Sequence, residues 1–117
     1  MKPEYQFFKN FKYAIDGFLE VLKNETSFKI EIIFFIVLSV VALFLPYPLF
    51  AKVILIISML IPLIVELLNS AIERVVDMVT KEYNKCAKYA KDAAAAAVML
   101  SLIFSCGVWI SVIVYFW

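Results

Sequence analysis

The sequence contains no histidine, which removes imidazole acid–base catalysis and most transition-metal sites. Its only two glycines, Gly17 and Gly107, rule out a glycine-rich phosphate loop of either the dinucleotide or the Walker type. Any nucleotide must therefore be held by side chains. The two cysteines, Cys86 and Cys106, have neither CxxC nor zinc-site spacing. A net charge of +1 offers no basic excess that would attract nucleic acid. What the chain has in quantity is apolar surface. Of its 117 residues 65% are hydrophobic, against roughly 45–50% in soluble domains, and mean hydropathy is +0.94. These values predict an integral membrane protein with residues 1–117 forming one domain.

In residues 4–24, Phe7, Phe8, Phe11, Tyr13, Ala14, Phe18, Leu19, Val21 and Leu22 are interleaved with Lys9, Lys12, Asp16, Glu20 and Lys23. That pattern predicts an amphipathic helix lying on a membrane surface, or packed on the protein's own helices. It has no long apolar region before a small-residue cleavage site, so it does not read as a signal peptide. Three transmembrane helices follow, at about 28–45, 50–79 and 90–116. Thr26 or Ser27 is placed to cap the first of them. Pro46, Tyr47 and Pro48 predict a turn at an interface. Pro62 removes a backbone donor and predicts a kink one turn before Glu66. Thr80 to Tyr89 reads as a polar link. The last span opens on five alanines, Ala93–Ala97, which allow close helix approach, and ends on Trp109, Tyr115, Phe116 and Trp117.

Lys2, Lys9, Lys12, Lys23 and Lys29 precede or open the first span, Arg74, Lys81, Lys85, Lys88 and Lys91 surround the second polar region, and Lys52 alone lies in the intervening turn. The positive-inside rule then puts the N-terminus and residues 74–91 in the cytoplasm and the C-terminus outside. A cytosolic Cys86 makes a disulfide with Cys106 unfavourable.

The chemistry concentrates where the second span leaves hydrocarbon. After a charge-free run from Val53 to Val65 come Glu66, Asn69, Glu73 and Asp77, at steps of three, four and four that put all four on one helix face. Glu66 lies deepest, and an acid at membrane depth suggests function. A carboxylate there is placed to take a proton from a lipid hydroxyl attacking a phosphoryl group. Glu25 and Glu73 flank two spans and suit a shared magnesium ion, which favours one or two carboxylates plus phosphate oxygens. Lys91 suits a phosphate, and Asn69 can orient a carboxylate or a hydroxyl. Each residue also has a plainer reading. Glu73 and Asp77 fit a solvated helix end, paired with Arg74 or Lys81; Glu25 and Glu31 fit a helix start; Lys91 and Asp92 fit an interface boundary; Glu66 fits a buried protonated acid.

The run Glu66-Leu67-Leu68-Asn69-Ser70-Ala71-Ile72-Glu73-Arg74-Val75-Val76-Asp77 resembles the signature of the small prokaryotic diacylglycerol kinases, a family that includes undecaprenol kinases. Asn24-Glu25 with Phe28 and Glu31, the link Glu82-Tyr83-Asn84, and Lys91-Asp92 before the small-residue run extend the likeness over nearly the whole chain. The resemblance implies an all-α membrane protein with an N-terminal amphipathic surface helix and three transmembrane helices, assembled as a homotrimer with active sites shared between subunits. It implies Glu66 as catalytic base, and Glu25 and Glu73 as ligands of the Mg2+ that accompanies ATP. Tyr13, Glu82, Tyr83, Asn84, Lys91 and Asp92 fall where the family contacts nucleotide. Ser27, Lys29, Glu31, Ala95 and Trp109 fall where it contacts lipid, with Asn69 and Asp77 in support. Two places depart from the family: Gln6 stands where some members have a nucleotide-contacting arginine, and Lys29 where an arginine is common.

The expected function is thus ATP-dependent phosphorylation of a membrane lipid hydroxyl at the bacterial inner membrane, with diacylglycerol as acceptor and phosphatidic acid as product. Undecaprenol presents the same primary hydroxyl and is the alternative acceptor. From another class, a small proton-coupled transporter would need Glu66 but not Glu25, Glu73 or Lys91. A non-enzymatic assembly subunit held by the alanine run would need none of the acids.

Overall fold

A computed structural model describes residues 6–117, which form five helices and, among the described residues, no strand. Helix α1 is Phe7–Asn24, α2 Thr26–Phe44, α3 Leu49–Ser58, α4 Leu60–Val79 and α5 Lys85–Phe116. Positions 4 and 5, where the N-terminal helix was expected to begin, lie outside the described residues. Three segments are long and apolar enough to cross a bilayer: Thr26–Phe44, Leu49–Val79 and Lys85–Phe116. The predicted all-helical membrane class is therefore the observed one.

Length decides what each span can present outside hydrocarbon. The 19 residues of α2 reach only about 28 Å at ~1.5 Å per residue, close to the ~30 Å hydrocarbon core. The 31 residues from Leu49 to Val79 and the 32 of α5 reach about 46–48 Å on the same rise. Among the described residues α4 and α5 share the most extensive contact and are joined by residues 80–84, so they run together to one end of the molecule. That paired extension carries the polar end of the molecule.

The breaks between helices have local causes, and three differ from the sequence expectation. Between α1 and α2 there is neither glycine nor proline. Asn24 Nδ2 donates to the Glu20 carbonyl at 3.0 Å and to Glu20 Oε2 at 3.1 Å, satisfying a last-turn acceptor while Glu25 turns extended. Neither Thr26 nor Ser27 caps α2: Glu25 occupies that position without a side-chain bond, and the Ser27 hydroxyl reaches across to α4. A partly buried bond to a carboxylate is the stronger use of that side chain.

The kink expected one turn before Glu66 lies further back, at Met59, whose N–H bonds the Ile56 carbonyl at 3.1 Å in a tightened turn. Pro62 has no N–H for Ser58, and its ring crowds the Ser58 carbonyl, so the chain yields on the N-terminal side of the proline. The polar link is shorter than Thr80–Tyr89. Asn84 Oδ1 accepts from Cys86 N at 2.9 Å and Ala87 N at 3.1 Å, and this cap starts α5 at Lys85.

Packing is concentrated where the first helices cross. Phe28 and Leu55 are fully buried. Val21, Phe28 and Leu63 form a cluster that joins α1, α2 and α4, flanked by Leu22, Ile32, Phe35 and Leu67. Phe18 meets Phe28 edge-on with ring centroids 5.3 Å apart. Deeper in the apolar layer, Trp109 Nε1 on α5 donates to the Leu55 carbonyl at 3.1 Å. At the opposite end Lys52 Nζ donates to the Leu43 carbonyl at 2.8 Å, serving an orphan acceptor of α2, and Tyr47 stacks on Phe116 at 4.8 Å. Beyond this, only 11% of the most apolar stretch of α2, and the same share of α5, is buried within the chain. Those faces require lipid or other protein around them.

Candidate active site

Glu66 is the polar residue most deeply placed in the predicted set, with 6% of its surface exposed. It lies one turn after Leu63 on α4, and so beside the cluster that fixes α1, α2 and α4. Ser27 Oγ, from the first turn of α2, donates to Glu66 Oε1 at 2.9 Å. The carboxylate thus accepts from a hydroxyl at a distance suited to proton transfer. Glu31, one turn after Ser27, lies within Coulomb range of Glu66, and its Oε2 is buried with no partner among the described residues.

Glu31 also stands at the wall of an apolar cavity of about 450 Å³ between α2, the α3–α4 junction and α5. Phe35, Met59, Leu63, Leu102 and Trp109 are among its lining residues. The volume lies in the ~300–1,000 Å³ range of small-molecule pockets, and the lining is apolar with very few polar groups. Such a lining is chemically matched to hydrocarbon.

One and two turns beyond Glu66 the face becomes polar. Asn69 Nδ2 donates to Glu73 Oε1 at 2.7 Å, while Asn69 Oδ1 is buried and without a partner among the described residues. Further out, Lys91 Nζ on α5 donates to Asp77 Oδ1 on α4 at 2.6 Å. Asp77, Lys91, Asp92, Glu82, Tyr83 and Asn84 all border one cleft of about 250 Å³ at the α4–α5 turn, with Lys81 and Lys88 on its rim. Lys88 is paired with Asp92 at 2.6 Å. Asn84 spends its Oδ1 on the α5 cap, which leaves its amide nitrogen for the cleft.

A third cluster joins α1 to α4. Arg74 Nη1 donates to Glu20, and Arg74 Nη2 donates to Glu25 Oε1 at 3.1 Å. The guanidinium holds the exposed Glu20 carboxyl below the usual carboxylate range, with Asn24 adding a smaller pull in the same direction. Burial within the molecule makes only a lesser, opposing contribution. The plainer sequence reading pairs Arg74 or Lys81 with Glu73 or Asp77; in the fold Arg74 goes to Glu20 and Glu25, while Lys91 serves Asp77 and Asn69 serves Glu73.

The structure therefore brings the sequence-selected residues together in groups. Ser27 meets Glu66, Glu31 and Trp109 share the apolar cavity, Asn69 meets Glu73, and Asp77, Glu82, Tyr83, Asn84, Lys91 and Asp92 share the polar cleft. Glu25 is drawn to Arg74, with no direct bond to Glu73. Tyr13, Lys29 and Ala95 are exposed and make no side-chain bond among the described residues. Sequence reasoning missed Glu20, Met59, Ser105 and Cys106. Glu20 had one local signal, its four-residue step to Asn24, whereas the cavity wall is assembled from three helices and has no signature in any one of them.

Among the described residues no group of three acids, cysteines or histidines is arranged to hold a metal. Glu25 and Glu73 each commit Oε1 to a protein donor and keep Oε2 for another partner. Two carboxylate oxygens, with phosphate and water completing the shell, suit magnesium, which does not require an all-protein cage.

A helical membrane protein that sets a buried carboxylate between a hydrocarbon cavity and a polar, lysine-lined cleft is built to join a lipid to a charged, water-borne substrate. Comparison with known proteins agrees. The sequence profile of the family described as prokaryotic diacylglycerol kinase matches residues 12–113. Proteins named diacylglycerol kinase are similar over most of the chain. The one from Escherichia coli K12 is 36% identical over 97 residues, 83% of this chain and 80% of the relative. That from Haemophilus influenzae is 35% identical over 98 residues, covering 84% and 83%, and that from Pseudomonas aeruginosa 36% over 101, covering 86% and 82%. The chain belongs to the prokaryotic diacylglycerol kinase family. It is a membrane lipid kinase, and a kinase family implies ATP as phosphoryl donor.

Proposed function

We propose that this chain transfers the γ-phosphoryl group of ATP to the primary hydroxyl of diacylglycerol, yielding phosphatidic acid and ADP, with Glu66 as general base. The observation that carries the reading is the bond from Ser27 Oγ to the buried Glu66 carboxylate at 2.9 Å. A hydroxyl donor already fits that carboxylate, and the lipid hydroxyl takes the place of Ser27. As the lipid oxygen attacks the γ-phosphorus, its proton passes to Glu66, the bond from phosphorus to the β–γ bridging oxygen breaks, and ADP leaves with that oxygen.

The other residues bind and position. The glycerol end of the lipid lies against Ser27, Lys29, Glu31 and Ala95, and an acyl chain enters the cavity beside Trp109. The nucleotide occupies the cleft of Glu82, Tyr83, Asn84, Lys91 and Asp92, with Tyr13 approaching from α1. Lys91 exchanges Asp77 for a phosphate oxygen, a change between two charge-assisted bonds at an exposed site. Asn69 holds Glu73 in orientation and presents its free Oδ1 to the reacting groups. Glu25 and Glu73 would hold magnesium, which when bound neutralises phosphate charge.

The same reading treats residues 1–117 as one unit assembled as a homotrimer, with sites shared between neighbours. The support is the apolar surface left bare on α2 and α5 and the alanines at the start of α5. It sets α1 as an amphipathic helix at the cytoplasmic surface of the inner membrane, its exposed Phe7, Phe8 and Phe11 toward lipid, and the C-terminus outside.

The test is transfer of label from γ-labelled ATP with magnesium in mixed micelles, offering diacylglycerol and undecaprenol in parallel beside Glu66→Gln. Label on diacylglycerol that disappears in the variant is the expected result. Label mainly on undecaprenol would move the acceptor to the other lipid. No label on either, from well-folded protein, would overturn the proposal.

A further inference from the structure

Arg74 is the only arginine in the sequence. It sits next to Glu73 on α4 and spans to two acids of another helix region, Glu20 at the last turn of α1 and Glu25 between α1 and α2. The two bonds use different nitrogens, Nη1 for Glu20 and Nη2 for Glu25. Neither acid is buried enough to need the pair for folding: the side chains of Arg74, Glu20 and Glu25 are 42%, 50% and 35% exposed. Ion pairs at that exposure are worth ~0–1 kcal/mol, so they exchange easily for a stronger partner.

We infer that Arg74 is a nucleotide-binding residue, held beside the phosphate site by Glu20 and kept off it by Glu25 until the nucleotide arrives. The inference rests on the reading above, in which Glu25 meets the magnesium–ATP complex. With a divalent ion bound at Glu25, the carboxylate would no longer need Arg74 as its counter-charge, and Nη2 would be free to leave Oε1. A phosphate oxygen of the nucleotide would then be its new acceptor. Glu20 keeps Nη1 throughout, so the guanidinium turns about a fixed point and is not released to solvent. Arginine suits the task because its planar fork serves a carboxylate and a phosphate through two separate nitrogens, whereas the three N–H donors of lysine all radiate from one atom and cannot span the two sites in a fixed geometry. Glu20 is the positioning residue, acting through Arg74.

The experiment measures binding of a non-hydrolysable ATP analogue, with magnesium and no lipid, to the whole chain in micelles, for wild type, Glu25→Gln, Arg74→Gln, Arg74→Lys and Glu20→Gln. Thermal unfolding without nucleotide is measured on each. The inference expects Arg74→Gln to weaken the analogue about tenfold or more, the scale of a lost charge-assisted bond. It expects a smaller loss for ADP, partial rescue in Arg74→Lys, and an intermediate loss in Glu20→Gln. In wild type, selective ¹⁵N-arginine labelling isolates the Arg74 Nε signal, which shifts on adding the magnesium complex and not on adding magnesium-free adenosine. If Glu25→Gln abolishes binding but Arg74→Gln binds within about twofold of wild type and only lowers the melting temperature, Arg74 is a strut between α1 and α4 and the inference is wrong. If Glu25→Gln also binds as wild type, the underlying placement of the nucleotide fails as well.

Discussion

The two ends of the site are held together differently. Around Glu66 and the cavity, contacts are apolar packing with a few partly buried hydrogen bonds, Ser27 to Glu66 at 2.9 Å and Trp109 to Leu55 at 3.1 Å among them. At the polar end, contacts are exposed ion pairs: Lys91 with Asp77 and Lys88 with Asp92 at the α4–α5 turn, and Arg74 with Glu20 and Glu25 between α1 and α4. A buried polar group that loses its partner suffers a penalty of roughly 1–3 kcal/mol, whereas an exposed pair contributes ~0–1. The inner end is thus preorganised and the outer end exchangeable. On the proposed function, a lipid diffusing in the plane of the membrane would meet a fixed carboxylate, and a nucleotide from water would find lysines that can change partners cheaply.

Variants on either side should separate the two behaviours. The largest effect belongs to Glu66→Gln, expected to lower kcat by at least about 10²-fold, the scale of general-base catalysis, while the analogue still binds. Leu102→Trp fills part of the cavity and should lower kcat/KM for lipid by about tenfold, within the range by which pockets discriminate small apolar differences, with KM for ATP unchanged. Lys91→Met should do the reverse, raising KM for ATP about tenfold by removing a charge-assisted bond and leaving KM for lipid alone. Equal changes in both KM values for either variant would mean that the two regions do not act independently.

The smallest effect is a pH dependence of stability at the polar end. The Glu20 carboxyl is held below its ordinary value by Arg74, so its folded pKa is lower than its unfolded one. Its contribution is therefore complete above the unfolded pKa and fades as pH falls through the folded one. Because Glu20 is exposed, the loss is small. Melting curves taken downward from pH 5 should show a slightly steeper decline for wild type than for Glu20→Gln, and identical slopes would remove Glu20 from the account.

Much of the site was legible along the chain because α-helical geometry is local. Steps of three, four and four put Glu66, Asn69, Glu73 and Asp77 on one face, and the bond from Asn69 to Glu73 is that spacing realised. The polar cleft was nearly as legible, since a short link between two long helices folds residues 77–92 onto one another. Ser27 was selected for lipid contact, yet its bond to Glu66, 39 residues away, had no local trace. The expected proline kink moved to Met59, because a proline strains the carbonyl four residues behind it and the turn before gives way.

By itself, the sequence determined the membrane class, the three spans and the acidic face, which follow from composition and from spacings within one helix, while the family showed through the resemblance of the Glu66–Asp77 run to a known signature. Only the tertiary structure decided which donor each acid receives. Lys91 takes Asp77, Ser27 takes Glu66, and Arg74 passes over its neighbours for Glu20 and Glu25. Those choices depend on how the helices cross, and the crossing is set by the burial of Val21, Phe28 and Leu63, which specifies where helices touch but writes no pairing into the residues that it brings together.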